Sequence, residues 1–185
     1  MGREDPGATI TPMGRISIQH VATAARTVQS MDLPQKVALI DEIHLQQPNL
    51  LASCVVQARL GADEPTVEFL LNILLVCHLA MKASGYQWPL ITEAQQEREL
   101  ARMVAAVGFS EDLADPESAD LARTQYVAAH PEQPLLAFVT QQSNEWLRHL
   151  ARTNAEKESD KFVLMAATNL VGCIAHADAQ HGRAL

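Results

Sequence analysis

Four side chains in this sequence are of types that bind transition metals or transfer protons, and all four lie on apolar helices predicted below. They are His44, His78, Glu145 and His149. Imidazole nitrogens and carboxylate oxygens are common metal ligands, so these residues could form a mononuclear site if the fold brought them together. A di-iron helical bundle would require two Glu-x-x-His pairs, whereas the predicted helices contain one Asp-x-x-His, at Asp41 and His44. We therefore expect no resident cofactor and keep a metal site as the alternative.

One apolar stripe on the predicted helix over 33–47 ends in a histidine. Its members are Leu33, Val37, Ile40 and His44. Because residues three and four apart share a helix face, this spacing predicts that His44 points toward the core. Asp41 lies three residues before His44, so the carboxylate could satisfy the imidazole as an ordinary structural pair.

The other candidates also have structural interpretations. Glu145 and His149 are four residues apart, which is the spacing of an exposed pair on one helix. His78 lies on the most apolar helix, where a buried imidazole needs a hydrogen-bond partner. Glu68 and Asn72 are too far along the same helix to reach it easily, so we expect the partner to come from another element.

The motifs of common enzyme classes are absent from the sequence. It contains no Gly-x-Gly-x-x-Gly, Walker, His-Glu-x-x-His or Gly-x-Ser-x-Gly pattern. Cys54, Cys77 and Cys173 form no Cys-x-x-Cys pair and lie in apolar helical segments, which predicts buried free thiols and a reducing cytoplasm. The first residues lack the apolar segment that a secretory signal needs.

Composition narrows the class of protein. The chain has 185 residues, of which 48% are hydrophobic and 19% charged, as in ordinary globular domains. Its 14 basic and 22 acidic residues give a net charge of −8, which opposes binding to a phosphate backbone. We therefore expect a protein partner, or self-association, rather than nucleic acid or a membrane.

Apolar residues recur every three or four positions between the chain ends, which predicts an all-α fold without strands. Short connections favour a bundle or a short stack of about eight antiparallel helices. Asp32 and Gln35 have the spacing of a capping box, and Gly61, Gly85 and Gly108 follow periodic segments as C-terminal caps do. The predicted helices span 16–30, 33–47, 49–60, 65–84, 93–107, 116–130, 134–152 and 159–177. Residues 16–177 are predicted to form one domain, between a flexible leader (1–15) and a flexible tail (178–185).

The segment 67–81 stands out because it has no cleanly polar face. Leu71, Leu75 and Leu79 share an arc with its few polar residues, so the helix is either central to the core or presents an apolar strip to a partner. Tyr86 and Trp88 follow it in a loop. They could anchor a partner, although folding back as a lid over the helix end is the commoner arrangement for large aromatics.

These observations favour a non-catalytic, acidic, helical protein–protein interaction module, of the adaptor, inhibitor or chaperone-like kind, that can also form homodimers. Its interface candidates are Leu71, Leu75, Leu79, Tyr86 and Trp88. The alternative is a helical bundle with an internal small-ligand or metal site, which could be an enzyme, centred on the three histidines and Glu145.

Overall fold

The computed structural model describes residues 14–112, 116–149 and 154–177. These residues form eight α-helices and no strand, which confirms the all-α prediction. The parts of the predicted leader and tail that fall at 1–13 and 178–185 lie outside the described residues. The helices are α1 (Ile18–Ser30), α2 (Leu33–Gln46), α3 (Pro48–Arg59), α4 (Glu64–Ala83), α5 (Glu93–Asp112), α6 (Pro116–Ala129), α7 (Gln133–Arg148) and α8 (Asn154–Ala175).

Helix α4 is the centre of the fold, as its apolar pattern predicts. It packs against α1, α2, α3, α7 and α8. A helix surrounded on several sides buries apolar residues around most of its circumference, which explains why no clean polar face is visible in its sequence. Within the described residues, α4 is the one helix long and apolar enough to cross a membrane, and more than half of its apolar stretch is buried among the chain's own helices.

Local capping chemistry sets several helix ends. The Asp32–Gln35 capping box is present, and Gly61 and Gly85 end their helical segments with φ of 97° and 69°, in the left-handed region that favours glycine. The prediction that Gly108 is a cap is wrong, because α5 continues through it to Asp112.

The junction between α2 and α3 holds the extended segment that follows α4. Gln47 is buried there, and its side-chain amide donates to the Pro89 carbonyl at 2.8 Å while its oxygen accepts from the Ile91 amide at 3.0 Å. Asn49 donates to the Ile91 carbonyl at 2.9 Å. These bonds give the segment the backbone partners that a strand would otherwise provide, and they fix the position of Trp88.

Candidate functional site

The four candidate metal ligands have separate surroundings. His44 and His149 are exposed, and the carboxylate of Glu145 accepts hydrogen bonds from Gln141 and Gln142. His78 is buried in α4. In the described ranges, no group of three or more histidine, cysteine, aspartate or glutamate side chains is arranged to hold a metal ion.

His78 pairs with Glu42, a residue of α2 that the sequence analysis did not identify. The Oε1 atom of Glu42 lies 3.2 Å from His78 Nε2, 2.6 Å from Lys82 Nζ and 3.3 Å from Gln46 Nε2. The hydrogen bond from Lys82 is the largest influence lowering the pKa of Glu42, whereas burial lowers the pKa of His78 and favours its neutral form. The contacts with His78 and Lys82 of α4 fix the rotation of α2 against α4, and the Gln46 contact lies within α2.

The predicted orientation of α2 is wrong. Leu39 and Ile43 are its buried residues, whereas Leu33 is 73% exposed, Val37 is 48% exposed and His44 is exposed. The helix therefore carries two apolar stripes, and the core uses the second because Glu42 is bound to α4. Of the first stripe, Leu33, Val37 and His44 face outward, whereas Ile40 is partly buried against the core, as predicted.

The apolar strip predicted on α4 belongs to the core. Leu75 is 2% exposed, and Leu71 and Leu79 are half-buried and pack against the core. Phe69, one helical turn before Ile73, stacks on Trp146 of α7 with ring centroids 4.8 Å apart. Helix α4 therefore has little apolar surface left for a partner.

Trp88 folds back over the end of α4, as the lid interpretation predicts. Its Nε1–H donates to the Met81 carbonyl at 3.0 Å and to the Ser84 hydroxyl at 3.3 Å. Tyr86 stands at 74° to it, with ring centroids 4.9 Å apart. Beside the two rings lies an open groove of about 370 Å³ that Lys82 and Gln87 also line.

Arg15 fills the angle between these two rings. Its guanidinium carbon lies 4.3 Å from the centroid of Trp88 and 4.9 Å from that of Tyr86. Its Nη2 donates to the carbonyls of Ile174 and Ala175 at 2.8 Å each, and its Nε donates to Glu132 at 3.1 Å. Arg15 was predicted to belong to a flexible leader, but it is anchored to three separate parts of the fold.

Glu132 holds the N-terminal segment through its buried carboxylate. Its oxygens accept from the backbone amides of Arg15 and Ile16 at 3.1 and 3.0 Å, as well as from the Arg15 side chain. A Cβ added at Gly14 would lie 2.5 Å from the Pro131 carbonyl oxygen, so only glycine allows this close approach. The Gly14-Arg15-Ile16 sequence carries no local signal of this site, because its hydrogen-bond partners lie more than 110 residues away.

Two histidines extend this polar region, and their Nδ1 atoms have opposite hydrogen-bond roles. His130 Nδ1 accepts the Glu132 amide at 3.1 Å, which leaves the proton of the neutral ring on Nε2. His176 Nδ1 lies 2.9 Å from Glu99 Oε2 and 3.0 Å from the Gly172 carbonyl. Since both of those oxygens accept, the Nδ1 atom of His176 is the donor in these contacts.

The environment of His130 predicts a pH-dependent stability. Burial, followed by the neighbouring His176, lowers the pKa of His130 to about 4 from its ordinary 6.5. The folded state therefore keeps the ring neutral while the unfolded chain binds a proton, so stability is lost as pH falls from about 6.5 to about 4. The Tyr126 ring also lies beside the His130 ring, with their centroids 6.2 Å apart.

We expect His130→Asn to reduce this loss, because the asparagine oxygen retains an acceptor for the Glu132 amide without titrating. Between pH 7 and pH 5, the wild type should lose about 1–2 kcal/mol more unfolding free energy than the variant. Urea unfolding at each pH measures this difference, and the exposed His149→Asn serves as the control. Equal losses in the wild type and His130→Asn would contradict the assignment.

The three cysteines are buried and unpaired, as predicted. Burial raises the pKa of the Cys54 and Cys173 thiols to about 12 each and raises that of Cys77 further. Because the thiolate is the reactive form, these side chains act as packing groups rather than nucleophiles.

Comparison with known proteins finds no match for this chain among protein-family models, curated proteins or solved structures.

Proposed function

We propose that this chain is a non-catalytic helical interaction module whose docking face is the outward stripe of α2, and that the bound partner is α2 of a second copy. The exposure of an apolar stripe on a helix that is already packed against the core supports this proposal most directly. An apolar helix face that its own core leaves uncovered is a common feature of an interaction site. The histidines and Glu145 of the alternative have separate environments, which gives no support to an internal metal site.

The spacing of the stripe favours a helix as the partner. Its members, Leu33, Val37, Ile40 and His44, are separated by four, three and four residues, and Ile40 is the one that also packs partly against the core. This is the repeat of a coiled-coil seam, in which side chains of one helix insert between those of another. A two-fold dimer would pair the stripe with itself, since the same patch serves both copies.

Charges beside the stripe support parallel pairing of two copies. Lys36 lies just before the stripe residue Val37, and Asp41 lies just after the stripe residue Ile40. The two charged residues are therefore five positions apart. In a parallel two-helix seam, side chains with this offset face each other across the interface and form ion pairs that set orientation. Asp41 is exposed, and the half-buried Lys36 donates from its ammonium to the Asn72 side chain of α4 at 3.1 Å.

The proposal is tested by placing a charge in the stripe. We expect Val37→Glu to reduce the molar mass measured by light scattering from that of a dimer to that of a single chain, because the carboxylate would be buried against its symmetry mate. Val55→Glu is the matched control, since Val55 on α3 is 46% exposed, close to the 48% of Val37. Val55→Glu should keep the wild-type midpoint, whereas Val37→Glu should stay folded, as its helical circular dichroism shows, with a midpoint lowered only by the lost association. The same molar mass for both variants would contradict the proposal.

A further inference from the structure

The groove beside Trp88 and Tyr86 is lined by a histidine that has one ring nitrogen without a partner. Nε2 of His78 lies 3.2 Å from the Glu42 carboxylate, whose lowered pKa keeps it ionised, so Nε2 is the donor in this contact. Glu42 is the one hydrogen-bond partner of His78 within the described residues. The neutral ring therefore leaves Nδ1 as an acceptor that no protein group uses.

This Nδ1 atom is accessible from the groove. Within the described part of the chain, the one fully enclosed side-chain nitrogen or oxygen atom without a partner is Oδ1 of Asn169. The Nδ1 atom of His78 is therefore not sealed in the core, although the residue is buried, and His78 lines the groove. A buried imidazole that is oriented by a carboxylate and open on its other side is a common feature of binding sites.

The charges at the groove cancel. Lys82 is the one charged residue among those that line it, and its ammonium lies 2.6 Å from Glu42. A charged ligand would therefore find no unpaired counter-charge. The Lys82 side chain is 48% exposed, and an ammonium has three N–H donors, so it can donate to a neutral oxygen while it remains paired with Glu42.

The apolar walls of the groove are held in place by the fold. Met81, Tyr86 and Trp88 form these walls, and the Trp88 indole is fixed by the Met81 carbonyl and the Ser84 hydroxyl. Gln47 fixes the segment that follows Trp88. The groove volume of about 370 Å³ lies within the range of about 300–1,000 Å³ that is typical of small-molecule sites.

We infer that this groove binds a small, uncharged, planar aromatic molecule that has a hydroxyl at one end and a carbonyl at the other. The hydroxyl donates to His78 Nδ1, the carbonyl accepts from the Lys82 ammonium, and the ring packs against Trp88 and Tyr86. The inference does not depend on the proposed dimer, because the outward stripe lies on a different face of α2 from the groove residue Gln46.

A titration with 4-hydroxyacetophenone tests the site in the full chain. We expect the indole N–H resonance of Trp88, identified by its loss in Trp88→Phe, to shift saturably with a Kd of about 0.1–1 mM, which is ordinary for a ligand of about ten non-hydrogen atoms. The indole resonance of Trp146 is the internal control. Trp146 stacks on Phe69, which lies about 20 Å along α4 from Lys82, so its resonance should stay in place.

Two analogues test the two polar contacts separately. Acetophenone lacks the hydroxyl and 4-ethylphenol lacks the carbonyl, and each should bind about fivefold more weakly, as expected for the loss of one hydrogen bond. Lys82→Met should weaken 4-hydroxyacetophenone by the same factor and leave the Kd of 4-ethylphenol unchanged.

Lys36→Met is the matched control variant, because it makes the same change at a lysine that bonds to Asn72 and does not line the groove. Its Kd for 4-hydroxyacetophenone should equal that of the wild type. The inference would be overturned by equal shifts of both indole resonances, by no saturable shift of Trp88, or by equal weakening in the two lysine variants. Acetophenone binding as tightly as 4-hydroxyacetophenone would also overturn it.

Discussion

Replacing Glu132 with alanine is expected to lower the free energy of unfolding by about 3–5 kcal/mol, because it leaves the Arg15 guanidinium without its carboxylate. The same change removes the acceptor of the Arg15 and Ile16 backbone amides. Ile16 is fully buried, so its amide has no access to water as a substitute partner. Urea unfolding followed by circular dichroism measures the loss.

Glu145→Ala is the control for this prediction. Glu145 lies on α7, the helix that begins directly after Glu132. Its carboxylate is partly exposed, and it accepts hydrogen bonds from two glutamines. We expect it to cost less than about 1 kcal/mol. Equal destabilisation by the two substitutions would show that Glu132 does not anchor the N-terminal segment.

Leu75→Asp is expected to unfold the protein rather than to change its oligomeric state. Leu75 is 2% exposed at the centre of α4, and an aspartate there would be buried without a partner among apolar side chains. Such a substitution costs more than about 4 kcal/mol, which is a large share of the stability of a typical domain. The helical circular-dichroism signal at about 25 °C measures whether the variant is folded.

Leu45→Asp makes the same chemical change on the surface. Leu45 is 82% exposed near the end of α2 and does not belong to the outward stripe. It should change the unfolding free energy by no more than about 0.5 kcal/mol. A folded Leu75→Asp variant with an unchanged unfolding midpoint would refute the central position of α4.

Much of the architecture was predictable because it depends on local chemistry. The three- and four-residue apolar repeat predicts helices, and the absence of a polar face on α4 predicts its burial. The Asp32 capping box and the glycines at 61 and 85 set their helix ends through contacts with near neighbours. Gly108 failed as a cap because a glycine inside a helix costs only about 1 kcal/mol relative to alanine, so α5 continues through it.

The face of α2 was not predictable from periodicity alone. Its sequence contains two apolar stripes, one through Leu33 and Val37 and another through Leu39 and Ile43. Periodicity identifies each stripe but does not show which one faces the core. That choice depends on Glu42, whose partners His78 and Lys82 lie on α4, a helix later in the chain.

The contacts of Arg15 were missed for a related reason. Arg15 and Glu132 are 117 residues apart, and neither belongs to a recognisable motif. The glycine before Arg15 suggested a flexible leader, whereas its actual role is to let the chain approach the Pro131 carbonyl. Tyr86 and Trp88 were predicted as interface candidates or as a lid over the end of α4, but a sequence pattern cannot show that a cation stacks on them.

The molar mass of the wild-type protein, measured by sedimentation equilibrium from low to high micromolar concentration, tests most directly whether α2 is a docking face. We predict a reversible rise from the mass of one chain, 20.2 kDa, toward twice that value. A mass of one chain at every concentration would contradict the account.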